Sequence, residues 1–242
     1  MKKIHKKILQ NLACAAGLIA LVAGIAKLSS NYREKARMAS MGSDSGTPVI
    51  VLDAGHGGMD GGCSSAKGDT EKGINLNILL TLRDMLRVAG YDVAVTRDTD
   101  KSIHDKGVEG IANQKSSDMD NRLEIFNKYD NAICLSIHQN QFIDAKYSGA
   151  QMFYSDNHDG SQSLAMALQS SFVKNLQPDN QREIKLCGKE LFLCYFSENP
   201  TVMVECGFLS NPDEAELLCS EEYQNKVAFT IFTGLTEYLA EK

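Results

Sequence analysis

Val49-Ile50-Val51-Leu52-Asp53-Ala54-Gly55-His56-Gly57-Gly58 is an apolar, β-branched run that ends in a histidine set among glycines. A run of this length predicts a buried parallel strand, and the glycines let backbone and ligand approach closely. Two further segments have the same form. Ala132-Ile133-Cys134-Leu135 leads into Ser136-Ile137-His138-Gln139-Asn140, and Val202-Met203-Val204 leads into Glu205-Cys206-Gly207-Phe208. A reactive residue just past each strand puts His56, His138 and Glu205 along one sheet edge. In open α/β folds that carboxyl edge is where ligands bind.

Around these runs the chain alternates between helix and strand patterns. Leucines at 76, 79, 82 and 86 give residues 75–88 a helical period, and Gly90 ends it. Strands are predicted at 91–96, 149–154, 191–195 and 201–204, with helices at 121–129, 161–176 and 221–239. Asn211 followed by Pro212 reads as a helix cap and first turn, opening a short helix to Leu218. Residues 98–120 are polar and aperiodic and are expected to form a long surface excursion. The expected fold is a single α/β domain, with a mostly parallel twisted sheet of about six strands and helices on both faces.

The first 28 residues have a different character. Lys2, Lys3, Lys6 and Lys7 precede an uncharged run at 12–26, the pattern of a signal peptide or membrane anchor. Fifteen residues of helix span roughly 22 Å, short of the ~30 Å hydrocarbon core unless the span extends back to Ile8. The lysines hold that end in the cytoplasm, so the following domain faces outward. Cys14 precedes the apolar run rather than following it, which argues against a lipoprotein anchor. Residues 29–47 have linker composition, and 48–242 form the expected catalytic domain.

Composition narrows the function classes. A net charge of −6 gives no basic face for nucleic acid and no attraction to an anionic cell wall, so substrate recognition must be local. Seven cysteines without a Cys-x-x-Cys pair suggest neither a disulfide framework nor a zinc-thiolate site. No Gly-x-Ser-x-Gly elbow is present, which argues against a serine hydrolase. Cys134 shares a strand face with His138 but lies too deep to serve as a nucleophile.

Two histidines and a carboxylate suit a catalytic zinc, which takes three protein ligands and keeps the fourth position for water. Spacing leaves the third ligand open among Asp53, Asp60, Asp69 and Glu71. Glu71 has a helix to hold it, whereas Asp53 is placed to orient His56 from behind. His104 and His158 are expected on the surface. Glu205 at the end of a buried strand needs a purpose or a partner, Arg97 and Arg122 being candidates for the latter.

Taken together, the motifs resemble the zinc-dependent N-acetylmuramoyl-L-alanine amidases of bacterial cell-wall turnover. The segments that carry the likeness are Val-Leu-Asp-Ala-Gly-His-Gly-Gly-Met-Asp-Gly-Gly, Glu-Lys-Gly-Ile-Asn-Leu-Asn, Gly-Tyr-Asp-Val-Ala-Val-Thr-Arg, Leu-Ser-Ile-His-Gln-Asn and Val-Met-Val-Glu-Cys-Gly-Phe-Leu-Ser-Asn-Pro. The resemblance implies Zn²⁺ held by His56, Glu71 and His138, with Glu205 as the catalytic carboxylate and peptidoglycan or muropeptide as substrate. The short layout is similar to sporulation-associated members, and an activating protein partner is left open. The chain departs from the family pattern at Ala54, Gln139 and Cys206, and Gln139 is expected to bear on the substrate subsite. The alternatives are a zinc peptidase acting within the stem peptide and a non-catalytic wall-binding protein.

Overall fold

In this computed structural model the described residues are 46–241. The expected anchor at 1–28 and the linker as far as residue 45 lie outside them, as do His5 and Cys14.

Six strands form one sheet: β1 (Val49–Ala54), β2 (Val93–Val95), β3 (Ala132–Asn140), β4 (Gln151–Tyr154), β5 (Lys185–Leu186) and β6 (Thr201–Phe208). Their spatial order is β2-β1-β3-β6-β4-β5. β2, β1, β3 and β6 pair in parallel, β4 runs antiparallel to β6, and β5 is parallel to β4. The sheet is thus mostly parallel, as expected.

The pleat sorts side chains between the two faces. Ile50, Leu52, Ile133, Leu135, Ile137, Val202 and Val204 enter the main core. That core is closed by helices α1 (Glu71–Val88), α3 (Gly160–Asn175) and α6 (Glu221–Ala240). On the other face Val51 and Cys134 pack against Phe126 of α2 (Ile111–Phe126) and Leu193 of α4 (Phe192–Phe196). α5 (Pro212–Leu218) follows β6, and its cap forms as expected: Asn211 Oδ1 accepts from the N–H groups of Asp213 at 3.1 Å and Glu214 at 3.0 Å.

Three expectations are corrected. α2 starts at Ile111, ten residues before 121, so only the first part of 98–120 is a surface excursion. Its buried stripe is Asp118, Arg122 and Phe126, two of which are charged, and a search for apolar periodicity cannot see it. Residues 192–196 form one helical turn rather than a strand, because a five-residue apolar run fits either. β6 and β3 also run further than their apolar cores, so Glu205 and His138 lie inside strands and not beyond them.

Candidate metal centre

The same pleat that fills the core aims the chemistry. Along β3, Cys134, Ser136 and His138 share the α2–α4 face, and on β6 Met203 and Glu205 do the same. His138 and Glu205 are register partners. His56 follows β1, and Glu71 is the first residue of α1, four residues before the predicted helix start. Its carboxylate therefore sits at a helix N-terminus, where negative charge is favoured.

These elements bring His56, Glu71 and His138 together, with one ligand atom from each lying within 4.8 Å of the others. Glu71 Oε2 is 3.2 Å from His56 Nε2, and Glu71 Oε1 is 2.9 Å from His138 Nδ1. The two imidazole rings meet edge to face, 5.1 Å between centroids. Asp53 and Asp69 are not in the group. Two imidazole nitrogens and one carboxylate on a common point make a donor set that fits zinc.

Backbone approach makes the room. A Cβ on Gly55 would lie 2.2 Å from His138 Cε1, and one on Gly62 would lie 2.4 Å from Glu71 Oε2. His56 itself takes a left-handed backbone, φ 63°, and is the one such non-glycine residue among those described. Arg122 secures it: Nη2 donates to His56 O at 2.7 Å and Nη1 to Ala54 O at 2.8 Å. Arg97 donates to Ala54 O at 2.9 Å and Gly55 O at 3.1 Å. Two buried guanidiniums thus hold three successive carbonyls of the His56 loop.

Asp53 does not orient His56, contrary to the sequence expectation. It is fully buried and accepts from Thr96 and Ser136 hydroxyls and Arg122 Nη1, each at 2.6 Å. Burial alone would raise its pKa, but the Arg122 charge and the two hydroxyls hold it below the usual carboxylate range. The residue behind His56 is Asp60, whose Oδ2 lies 2.9 Å from Nδ1 while Lys115 holds its other oxygen at 2.9 Å. Burial opposes charge on His56, yet Glu71 and Asp60 outweigh it and push its pKa up to about 9. The same imidazoles hold Glu71 far below the usual carboxylate range against its burial.

Glu205 is the contrast. Its Oε2 is shielded from solvent and has no hydrogen-bond partner, and neither Arg97 nor Arg122 reaches it. Burial raises its pKa, the imidazoles of His138 and His56 oppose this, and the Glu71 charge adds to the rise, leaving it at about 7. Glu205, His56 and His138 line a cleft of about 270 Å³ together with Asp60, Lys115 and Phe192.

Gln139 is absent from that cleft. It is 3% exposed and turned to the α1 side, so the expected subsite role is corrected by strand alternation. His104 and His158 are half-buried: Nδ1 of the first bonds Ser102 Oγ at 2.8 Å and that of the second accepts from Gly160 N at 3.0 Å. Sequence reasoning missed Asn75, one helical turn after Glu71, and the loop-holding roles of Arg97 and Arg122. The i,i+4 spacing from Glu71 was the available signal for Asn75.

The family model described as N-acetylmuramoyl-L-alanine amidase matches residues 50–237. The chain is 34% identical over 194 residues to the germination-specific N-acetylmuramoyl-L-alanine amidase of Bacillus subtilis, a match covering 80% of this chain and 81% of that one. It is 26% identical over 252 residues to the N-acetylmuramoyl-L-alanine amidase AmiA of Escherichia coli, covering 87% and 81%. Among solved structures, the CwlD amidase from Clostridioides difficile, determined in complex with the GerS lipoprotein, superposes with a TM-score of 0.78. That match has 35% identity and covers 81% of this chain and 100% of that one.

Proposed function

This chain belongs to the N-acetylmuramoyl-L-alanine amidase family, and from that premise we infer how its residues divide the chemistry. The protein is an amidase of peptidoglycan, hydrolysing the bond between N-acetylmuramic acid and the L-alanine of the stem peptide.

The proposed cation is zinc, and its proposed ligands are His56, Glu71 and His138. The observation that carries this reading is the convergence of their donor atoms within 4.8 Å. A bound zinc supplies Lewis-acid activation of water and of the scissile carbonyl. Asp60, on Nδ1 of His56, fixes which ring nitrogen faces the site. The His56 loop, held by Arg97 and Arg122, sets the height of that ring above the sheet.

Glu205 is the proposed general base. Its Oε2 has no competing donor, and burial raises its carboxyl above the usual range, which favours a group that must both take and return a proton. It removes one proton of the attacking water and delivers it to the departing L-alanine nitrogen. The second passes to the freed amine as the product acid ionises, leaving a lactyl carboxylate on the sugar and an ammonium on the peptide. Zinc content of the purified protein, with mass spectrometry of digested peptidoglycan, tests the reading. One zinc per chain and release of whole stem peptides are expected; peptides cut internally would instead indicate a peptidase.

Residues 48–242 are proposed as the catalytic domain, exported by the segment at 1–28 to act outside the cytoplasmic membrane. Relatives named as probable cell wall amidases support that placement. A protein activator is proposed on the strength of the complex formed by CwlD. Cell fractionation, and co-purification from the membrane fraction, test these two points.

A further inference from the structure

Gln139 follows a proposed zinc ligand in sequence, but the pleat sends the two side chains to opposite faces. His138 looks toward the cleft. Gln139 is buried on the α1 side, where a second polar cluster lies.

That cluster ends on Glu71. Gln139 Nε2 donates to Asn75 Oδ1 at 3.1 Å. Asn75 Nδ2 donates to Glu71 Oε1 and to Gly55 O, both at 3.2 Å. The backbone N–H of Gln139 donates to the same Glu71 Oε1 at 3.0 Å, and that of Cys63 to Oε2 at 2.9 Å. Gln139 Oε1 is buried as well and has no hydrogen-bond partner.

The donors and acceptors leave little freedom. Asn75 has two amide hydrogens, and Glu71 and Gly55 take both, so its oxygen must meet a donor. Gln139 Nε2 meets it. Without that donor the Asn75 oxygen is buried alone, and the amide gains by rotating away from Glu71.

We propose that Gln139 is a positioning residue for the cation site, acting through Asn75 to hold the Glu71 carboxylate with one oxygen toward each imidazole. Gln139 never touches the substrate. The inference rests on reading His56, Glu71 and His138 as the ligands. Groups behind a metal ligand commonly set affinity by about 10–100-fold, and Gln139 belongs at the lower end because it works at one remove.

The test uses the full chain and the metal alone. Zinc affinity is measured by chelator competition, and ligand geometry by the absorption spectrum of the cobalt-substituted protein. The variants are Gln139→Met, Asn75→Ala and the double variant. Gln139→Met should weaken zinc binding about tenfold and shift the cobalt bands while circular dichroism stays unchanged. On the Asn75→Ala background the same change should weaken binding by less than about twofold, because the route to Glu71 is already cut. Gln139→Ala, which leaves space rather than a bulky thioether, gives the same readings if Gln139→Met does not fold. Parental affinity in the Gln139 variants, or an equal loss with and without Asn75, overturns the inference and leaves the ligand assignment standing. A parent chain that takes up no zinc overturns both.

Discussion

His138 on β3 and Glu205 on β6 stand opposite each other in register, on strands that neighbour in parallel. Adjacent strands lie about 4.8 Å apart, so an imidazole and a carboxylate reach the cleft at the same height from a rigid sheet. The His138 ring bonds Glu71 and Glu205 Oε2 has no partner, so replacing Glu205 breaks no hydrogen bond of the ring. Glu205→Gln should keep its zinc and lose turnover by about 100-fold or more. Metal content and muropeptide release, measured on one preparation, check this, and parental turnover would remove Glu205 from the role of base.

Zinc uptake should expel a proton. His56 has a pKa of about 9 in the metal-free protein and is charged at pH 7.5, whereas a ligating imidazole must be neutral. Apparent affinity should therefore rise with pH up to about 9. Calorimetry at pH 7.5 in two buffers of different ionisation enthalpy should give close to one proton from His56 per zinc. Buffer-independent heats would contradict the assignment.

Glu205 should make the metal-free protein less stable as pH rises. Its carboxyl titrates near 4.5 when unfolded and near 7 when folded. Between those values the folded state holds the extra proton, so stability falls from about pH 4.5 to about pH 7 and stays at the lower level above that. With the metal removed, Glu205→Gln should raise the melting temperature by several degrees at pH 8 and hardly at all at pH 4.5. Melting curves across that window decide it; an equal gain at both ends would mean the carboxyl is not the cause.

The space between Gly55 and the His138 ring is filled to contact. In Gly55→Ala the new Cβ would lie 2.2 Å from His138 Cε1, so the ring must leave its place. That variant should stay folded yet bind zinc at least about tenfold more weakly. Chelator competition measures the loss.

Arg122 is 1% exposed and bonds Asp53, Asp118 and two carbonyls. Arg122→Met leaves two carboxylates without their cation, and breaking a buried pair from one side typically destabilises by about 3–5 kcal/mol. Urea unfolding of the variant should show a midpoint well below the parent's. An unchanged midpoint would mean that Asp53 and Asp118 find other partners.

The parts that were legible in the sequence are those written in apolar runs and glycines. β1, β3 and β6 are dense β-branched segments, and the histidines and glutamate near their ends were visible for that reason. α2 was half lost because its buried face uses Asp118 and Arg122, residues that composition reads as solvated. The strand expected at 191–195 is a helical turn at 192–196, because so few apolar residues fit a strand or a helical turn equally well. Asp53 was given to His56 because the two are close in sequence. In the fold it faces Thr96 just past β2, Ser136 on β3 and Arg122 on α2, all distant in sequence.

The alternation of β3 and β6 separates neighbouring residues into two populations facing opposite layers of the fold. His138 and Glu205 line the cleft wall, and Gln139 and Cys206 lie behind it. On the proposal for Gln139, mutations on the hidden side would retune the cleft without altering its outline. A single residue deleted upstream of His138 would turn the wall inside out, presenting the Gln139 amide where the imidazole belongs.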